Sequence, residues 1–253
     1  MSLSKRLAKK SCAVIQARMT SKRLPGKCLL ELGGKPMIDH VIERASAIIG
    51  VSKVILAVPD SSENLLLVER AERLGADYFM GSENNVLERY YKATEKTEAD
   101  YVIRITADNP LTDPDYASMA LEIASESEAD LCSISNIPLG TGSEIIKFSA
   151  LKEAYENADR PYHFEHVTPY IKEHPELFTI ERHPVDIDSF PEDLRLTVDT
   201  EEDYSMMKEI FRKTYNGNIM KLRDIIKLLK TNPDIAEVNR NIVQRKMTHY
   251  EQL

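Results

Sequence analysis

Runs of apolar residues alternate with segments of helical period along most of the 253-residue chain. Apolar runs bounded by turn residues predict strands over residues 12–17, 54–58, 77–80, 101–106, 129–133, 178–182 and 194–198. Apolar residues at three- and four-residue spacing predict helices over residues 37–49, 61–73, 86–97, 114–125, 150–157, 163–173, 201–211 and 220–230. Strand–helix alternation is typical of an α/β fold, with a mostly parallel sheet covered by helices on both faces.

The alternation breaks after Asn136, where Pro138, Gly140 and Gly142 form a turn-rich patch. We interpret residues 137–190 as an arm that leaves the core sheet after the fifth strand. Residues 239–253 form a polar tail. The chain as a whole, residues 1–253, is expected to be one domain.

Net charge limits the partners. The formal charge of −8 and the pI near 5.4 predict no nucleic-acid or membrane partner, because both surfaces repel an acidic protein. The charge is uneven, however, since residues 1–27 contain eight Lys or Arg and no Asp or Glu. Any region that attracts anions therefore lies at the N-terminal end.

The cysteines and the N-terminal segment indicate a cellular location. Cys12, Cys28 and Cys132 are odd in number and widely spaced, which indicates reduced core thiols and neither a disulfide framework nor a zinc knuckle. The apolar run after the basic N-terminus is too short for a signal peptide or a membrane span. We expect a cytoplasmic protein.

A basic loop, "ARMTSKRLPGK", follows the first predicted strand. Its four cations are Arg18, Lys22, Arg23 and Lys27. Ligands of open α/β sheets bind at the carboxyl ends of strands, and a triphosphate would use both the charge and the Pro-Gly turn. The loop matches neither standard nucleotide fingerprint. A solvated basic loop therefore stays open as the alternative.

Two acidic residues stand at predicted strand ends. Asp108 follows the strand over 101–106, and Asp199 follows the strand over 194–198. Mg²⁺ takes one or two protein carboxylates and completes its shell with phosphate oxygens and water. The alternatives are a turn-forming Asp108 and an Asp199 that only precedes a helix start.

Two further patterns could bind metals. His163 and His166 are three residues apart on a predicted helix, but a zinc site needs a third ligand, so packing or substrate contact is favoured. Asp186 and Asp188 resemble the Asp-x-Asp metal motif of glycosyltransferases, although a chance pattern in an acidic chain is favoured. No nucleophile motif is evident, which favours catalysis without a covalent intermediate.

The segments "VIQARMTSKRLPGKCLLELGGKPMIDHVIER", "GSENNVLERYY", "VIRITADNPL", "FEHVTPYI" and "LRLTVDTEEDY" together resemble the spore coat polysaccharide biosynthesis protein F family. These cytidylyltransferase-like proteins are related to the synthetases that make CMP-3-deoxy-manno-octulosonate and CMP-neuraminate. The resemblance implies a Rossmann-like three-layer αβα sandwich of the nucleotide-diphospho-sugar transferase type. It also implies a homodimer formed through the arm.

The resemblance assigns roles to individual residues. It implies that the CTP phosphates bind to Arg18, Lys22, Arg23 and Lys27. It implies Mg²⁺ binding by Asp108 and Asp199, so that the predicted catalytic residues are Lys27, Arg18, Asp108 and Asp199. The predicted acceptor contacts are Arg104, Glu144 and His166. The sequence departs from the family pattern at Ala107, which replaces Gly, at Glu201, which replaces Pro, and at Ser143, which replaces an acid.

The leading hypothesis is a Mg²⁺-dependent cytidylyltransferase of surface polysaccharide or glycan biosynthesis. A sugar or sugar-like acid would attack the α-phosphorus of CTP, and pyrophosphate would leave. One alternative is a glycosyltransferase that uses a nucleotide sugar and binds its metal through Asp186 and Asp188. The other is a non-catalytic nucleotide-binding homologue.

Overall fold

The computed structural model describes residues 9–243. Its strands are β1 (Ser11–Gln16), β2 (Glu31–Leu32), β3 (Lys35–Pro36), β4 (Val51–Pro59), β5 (Asp77–Gly81), β6 (Tyr101–Thr106), β7 (Leu131–Ser135), β8 (Glu144–Lys147) and β9 (Ile180–Pro184). Its helices are α1 (Met37–Ser46), α2 (Leu65–Arg73), α3 (Val86–Thr94), α4 (Pro114–Ser127), α5 (Phe148–Asn157), α6 (Pro161–His166), α7 (Pro169–Glu173), α8 (Glu201–Thr214), α9 (Leu222–Thr231) and α10 (Pro233–Glu237).

Seven of these strands form one sheet in the order β5-β4-β1-β6-β8-β7-β9, and β2 and β3 form a separate hairpin. All neighbours in the large sheet are parallel except β8, which pairs antiparallel with both β6 and β7. The mostly parallel sheet predicted from the sequence is confirmed.

Alternate side chains of β1 pack into two hydrophobic cores, one on each face of the sheet. Ala13 and Ile15 of β1 pack with α1, α2 and α4 on one face of the sheet. Cys12 and Val14 pack with α3, α5 and α7 on the other. Strand side chains alternate between faces, so the four apolar residues of β1, Cys12 to Ile15, are covered on both sides of the sheet. The three-layer αβα architecture is confirmed.

The start of α2 differs from the prediction. The helix predicted over residues 61–73 begins later, because a 3₁₀ turn over Ser62–Asn64 precedes it and Asn64 stands at the cap position. The Asn64 side chain instead donates to the Pro59 carbonyl at 3.0 Å and accepts from the N–H of Met19 at 3.0 Å. Asn64 therefore ties the turn after β4 to the basic loop.

The predicted arm returns to the sheet twice. β8 inserts between β6 and β7, and β9 adds a parallel edge strand beside β7. The helix expected over residues 163–173 is two helices, since Val167 has a φ of 72° and ends α6. The arm therefore supplies part of the core as well as the helices that cover it.

The strand predicted over residues 194–198 is wrong. This segment is extended, but its N–H groups donate to loop carbonyls: Leu196 N to Leu139 O, and Val198 N to Asp108 O, both at 2.8 Å. Its apolar side chains are buried against α8 and α9 in a third core cluster. Arg195 and Thr197 between them are buried too, so the segment is buried on both sides. An isolated parallel bridge between Leu139 and Arg195 is its only β-type pairing within residues 9–243, and it does not join the sheet.

Other predictions concern the thiols, the tail and the membrane. Cys12, Cys28 and Cys132 are buried and free, as expected. Of the polar tail, Asn239 is buried, and residues 244–253 lie outside the described residues. Between residues 9 and 243, no helix is both long enough and apolar enough to cross a membrane.

Candidate functional site

The basic loop leaves β1 at the carboxyl edge of the sheet and folds back on itself. The carbonyl of Met19 accepts hydrogen bonds from the N–H groups of Ser21 and Gly26, both at 3.0 Å. Gly26 has a φ of 69°, a conformation that glycine adopts at little cost. This turn is followed by a 3₁₀ helix over Lys27–Leu29, and it leaves Lys27 only 9% exposed.

The side chain of Lys27 joins the basic loop to both acidic positions predicted from the sequence. Its Nζ lies 3.0 Å from Asp108 Oδ2 and 2.8 Å from Asp199 Oδ1. It also donates to the Val198 carbonyl at 2.9 Å. One ammonium group is therefore surrounded by three oxygens from two distant parts of the chain.

Backbone hydrogen bonds bring the two carboxylates together. After β6, the N–H of Asn109 donates to the Thr106 carbonyl at 3.1 Å and closes a tight turn around Asp108. The carbonyl of Asp108 then accepts the N–H of Val198 at 2.8 Å. Since Asp199 is the next residue, its carboxylate lies beside that of Asp108.

Ion pairs outweigh burial in setting the charge states of Lys27 and Asp199. Burial alone would lower the pKa of Lys27, but the carboxylates of Asp108 and Asp199 outweigh it and raise the pKa above the usual value. Burial would raise the pKa of Asp199, yet Lys27, Arg23 and Arg195 lower it. Lys27 is therefore cationic and Asp199 anionic at neutral pH.

A network behind Asp199 holds it in place. The buried carboxylate of Asp203 accepts the N–H groups of Asp199 and Thr200, at 2.9 and 3.1 Å. Asp203 also pairs with Arg195, and Asn239 donates to Asp203 Oδ1 at 2.8 Å. Sequence reasoning missed these partners, although the Thr-x-x-Asp pattern of a capping box gave a signal at Thr200.

The four loop cations are placed differently. Arg23 forms a 3.0 Å ion pair with Asp199 Oδ2, and Lys27 bridges the two carboxylates. Arg18 and Lys22 are exposed on the loop. The structure thus brings two of the four predicted phosphate-binding residues to the acidic pair and leaves two at the surface, where an incoming anion can reach them.

A second charged cluster lies at the start of β8. Glu144 accepts hydrogen bonds from Arg104 Nη1 at 3.0 Å, from Thr168 Oγ1 at 3.1 Å and from the ammonium of Lys172. Burial would raise the pKa of Glu144, but Lys172 and Arg104 outweigh it and hold the pKa at about 2. The cluster of two cations and one carboxylate carries a net positive charge.

An open cleft of about 210 Å³ adjoins this cluster and is lined in part by Arg104, Asn109 and Ser143. Three side-chain atoms of these residues, Arg104 Nε, Asn109 Oδ1 and Ser143 Oγ, are buried and have no hydrogen-bond partner in the described structure. Gln16 Oε1 is also buried without a hydrogen-bond partner in the described structure. Gln16 is the last residue of β1 and lies beside Thr106, the last residue of β6. Buried polar atoms without partners are rare, so they indicate a place for a polar ligand.

The histidines of the predicted helix do not act as a pair. Nε2 of His163 lies 3.0 Å from Glu173 Oε2 and is buried in the packing of α6 against α7. His166 is half-buried, and burial together with the charges of Arg104 and Lys172 lowers its pKa. His166 therefore belongs to the surroundings of the Glu144 cluster, whereas His163 is structural.

The second acidic pattern lies outside both clusters. Asp186 and Asp188 are exposed on either side of the buried Ile187, in the irregular segment after β9. Over residues 9–243, no group of three or more His, Cys, Asp or Glu side chains is arranged to hold a metal ion. The Asp-x-Asp pattern is therefore not part of a preformed metal site.

Asp108 and Asp199 satisfy the donor chemistry of Mg²⁺. Two carboxylate oxygens and one backbone carbonyl already converge on a single cationic atom. Magnesium is commonly bound by one or two carboxylates, with phosphate oxygens and water supplying the rest. The residues present therefore fit a magnesium ion that arrives with a phosphate ligand.

The sheet order and the placement of this site at the carboxyl edge define an α/β fold of the nucleotidyltransferase type. The structure of a cytidylyltransferase from Leptospira borgpetersenii superposes with a TM-score of 0.84 at 27% identity, covering 94% of this chain and 100% of that one. The family model described as Cytidylyltransferase matches residues 12–242. The chain belongs to the cytidylyltransferase family.

Two sequence relatives are similar over most of their length. The chain is 36% identical over 243 residues to an uncharacterised protein of Methanocaldococcus jannaschii, MJ1063, covering 96% of this chain and 100% of that one. It is 32% identical over 236 residues to the spore coat polysaccharide biosynthesis protein SpsF of Bacillus subtilis, covering 88% and 95%. The family resemblance drawn from the sequence motifs is confirmed.

Proposed function

We propose that this protein transfers CMP from CTP to a sugar or sugar-like acid and releases pyrophosphate. The observation that carries the proposal is the convergence of Asp108 and Asp199 on the Lys27 ammonium, at the end of a loop with further cations. Family membership supports cytidine triphosphate as the donor. The name of the SpsF relative supports a product used in polysaccharide synthesis.

The triphosphate would bind along the basic loop. Arg18 and Lys22 are exposed and would meet the phosphates first, and Arg23 and Lys27 would neutralise the β and γ groups. Negative charge builds up on the leaving pyrophosphate as the bond to the α-phosphorus breaks. Cations held by the protein lower the energy of that transition state.

Mg²⁺ held by Asp108 and Asp199 would neutralise phosphate charge and orient the α-phosphate. Asp203 keeps the carboxylate of Asp199 in position through its backbone N–H and through Arg195. The acidic pair therefore needs no rearrangement of its backbone when the ligand binds, which favours catalysis by a preorganised site.

The acceptor would occupy the cleft beside Glu144. The buried oxygens of two residues that line it, Asn109 Oδ1 and Ser143 Oγ, can accept or exchange hydrogen bonds with sugar hydroxyl groups. Arg104 and Lys172 carry two positive charges and Glu144 carries one negative charge, so the cluster is positive overall. This charge supports an acceptor that has a negative group. Glu144 itself is a poor proton acceptor, because its pKa is about 2.

The test measures pyrophosphate release from each of the four nucleoside triphosphates with Mg²⁺ and a panel of acidic sugars. CTP is expected to be the active donor, and Asp108→Asn and Asp199→Asn are each expected to abolish release while the circular dichroism spectrum is kept. Asp186→Asn is the matched control, because it removes an exposed carboxylate outside the site.

Other outcomes identify the alternatives. Release of a nucleoside diphosphate from a nucleotide sugar, lost in Asp186→Asn, would indicate a glycosyltransferase. Binding of CTP in calorimetry with no pyrophosphate from any acceptor would indicate a non-catalytic homologue. The predicted homodimer and cytoplasmic location stay predictions, and sedimentation equilibrium would test the former.

A further inference from the structure

Lys27 Nζ lies where a cation shared by the two acidic residues would lie. Its three oxygen neighbours, Asp108 Oδ2, Asp199 Oδ1 and Val198 O, are 2.8 to 3.0 Å away. Lys27 is almost fully buried, so this contact is not a chance encounter of surface side chains. The ammonium group is held as an ion is held, by carboxylate and carbonyl oxygens.

A divalent ion and this ammonium cannot occupy the position together. Mg²⁺ requires its ligand oxygens at about 2.0–2.1 Å, so an ion bound by both carboxylates would lie within repulsive distance of Lys27 Nζ. We propose that Lys27 is a built-in counter-ion that fills the cation position of the nucleotide-free protein and must leave before a divalent metal binds. This inference rests on the metal position of the proposed function.

A triphosphate bound to the basic loop would draw Lys27 away from the two carboxylates. A bound triphosphate offers new anionic partners to Lys27 and Arg23, the two loop cations that now neutralise the acidic pair. Arg195 stays on Asp199, because Asp203 holds its guanidinium at 3.0 Å. Nucleotide and metal binding are then one exchange of partners, in which phosphates take the loop cations and the metal takes the carboxylates.

The exchange makes metal binding depend on the nucleotide. Without a triphosphate, a metal ion must displace Lys27 from two ion pairs and leave its buried charge without partners, which is costly. Coupling between two ligands of this kind typically amounts to about 5- to 150-fold in affinity. The nucleotide-free protein is therefore expected to bind divalent metal weakly although both carboxylates are in place.

The test is a titration with Mn²⁺ alone, with free Mn²⁺ measured by electron paramagnetic resonance. Lys27→Met keeps the length of the side chain and removes the charge, and it should bind Mn²⁺ at least about tenfold more tightly than the wild type without nucleotide. Lys152→Met removes the same charge from an exposed position on α5, outside both charged clusters, and should leave this affinity unchanged. Adding Asp108→Asn to Lys27→Met should remove the gain.

Equal Mn²⁺ affinity of Lys27→Met and the wild type would overturn the inference. If Lys27→Met lacks a thermal unfolding transition because its two carboxylates repel each other, Mn²⁺ should restore the transition; failure to do so would equally overturn it. A ternary complex of wild-type protein, CTP and Mn²⁺ tests the proposed function separately. Absence of that complex together with no gain in Lys27→Met would remove the metal site itself.

Discussion

Replacing Asp203 by asparagine tests how strongly the network behind Asp199 holds the site. Asp203 Oδ1 accepts from Arg195 Nε at 3.0 Å and Asn239 Nδ2 at 2.8 Å. Oδ2 accepts from Arg195 Nη2 at 3.2 Å and from the N–H groups of Asp199 and Thr200. An amide has one oxygen and one NH₂ group, so in either orientation at least two of these donors would face another donor.

The loss of stability expected for Asp203→Asn can be worked out from those contacts. A buried hydrogen bond contributes about 1 kcal/mol, and one to a charged group about 1.5–3 kcal/mol, so Asp203→Asn should destabilise the protein by about 3–5 kcal/mol. At this chain length, the melting temperature should fall on the order of 10 °C. Urea unfolding followed by circular dichroism measures the change.

Glu202→Gln is the matched control for Asp203→Asn. It removes a carboxylate from an exposed neighbour in the first turn of α8, and it should change stability by no more than about 0.5 kcal/mol. A loss below about 1 kcal/mol in Asp203→Asn would refute the reasoning, because the five contacts could then contribute little to stability.

Four further predictions concern acid stability, the space around the backbone and thiol reactivity. Burial holds the pKa of His40 at about 4 in the folded protein. As the pH falls, His40 is therefore protonated in the unfolded chain before it is protonated in the folded protein, and the free energy of unfolding should decrease by about 3 kcal/mol between pH 6.5 and 4. His40→Gln should remove this pH dependence, as measured by urea unfolding at a series of pH values. The ionised Glu144, with its pKa of about 2, contributes stability above pH 4.5 that is lost toward pH 2, and Glu144→Gln should flatten only that lower range. Gly140→Ala places a Cβ 2.6 Å from the backbone of Leu196 at a φ of 91°, so it should lower the melting temperature far more than Gly34→Ala, whose φ is 89° but whose Cβ meets nothing within 4 Å. Burial raises the pKa of all three thiols to about 11, so the native protein should react with an aromatic disulfide reagent only after denaturation, and rapid labelling of one thiol would contradict this.

The sequence predicted the strands of the sheet where apolar runs were long. β6 has the bounds that the pattern indicated, because five of its six residues are β-branched or aromatic and turn signals follow it. β8 was missed, since only Ile145 and Ile146 lie between its charged ends. The segment 194–198 was assigned to the sheet because alternation reports which side chains are buried, and it does not report which backbone accepts their N–H groups.

For the site, the sequence indicated the residue types and the shared edge, but the contacts between them depend on the chain path. The position of Lys27 between Asp108 and Asp199 requires the Gly26 turn and the hydrogen bond from Val198 to Asp108. Arg195 stood as a charged residue among buried apolar ones, which was a signal that a buried anion would accompany it. Its partner Asp203 could not be chosen from the many acidic residues without the structure.

The reversal of β8 has a consequence for how this protein can change. Because β8 runs antiparallel, its first residue, Glu144, and Ser143 just before it stand at the same edge of the sheet as the ends of β1 and β6. A short stretch of sequence far from the basic loop thus forms one wall of the proposed acceptor cleft. Substitutions there can alter the choice of acceptor while the donor half of the site is inherited unchanged, which allows the two specificities to evolve separately.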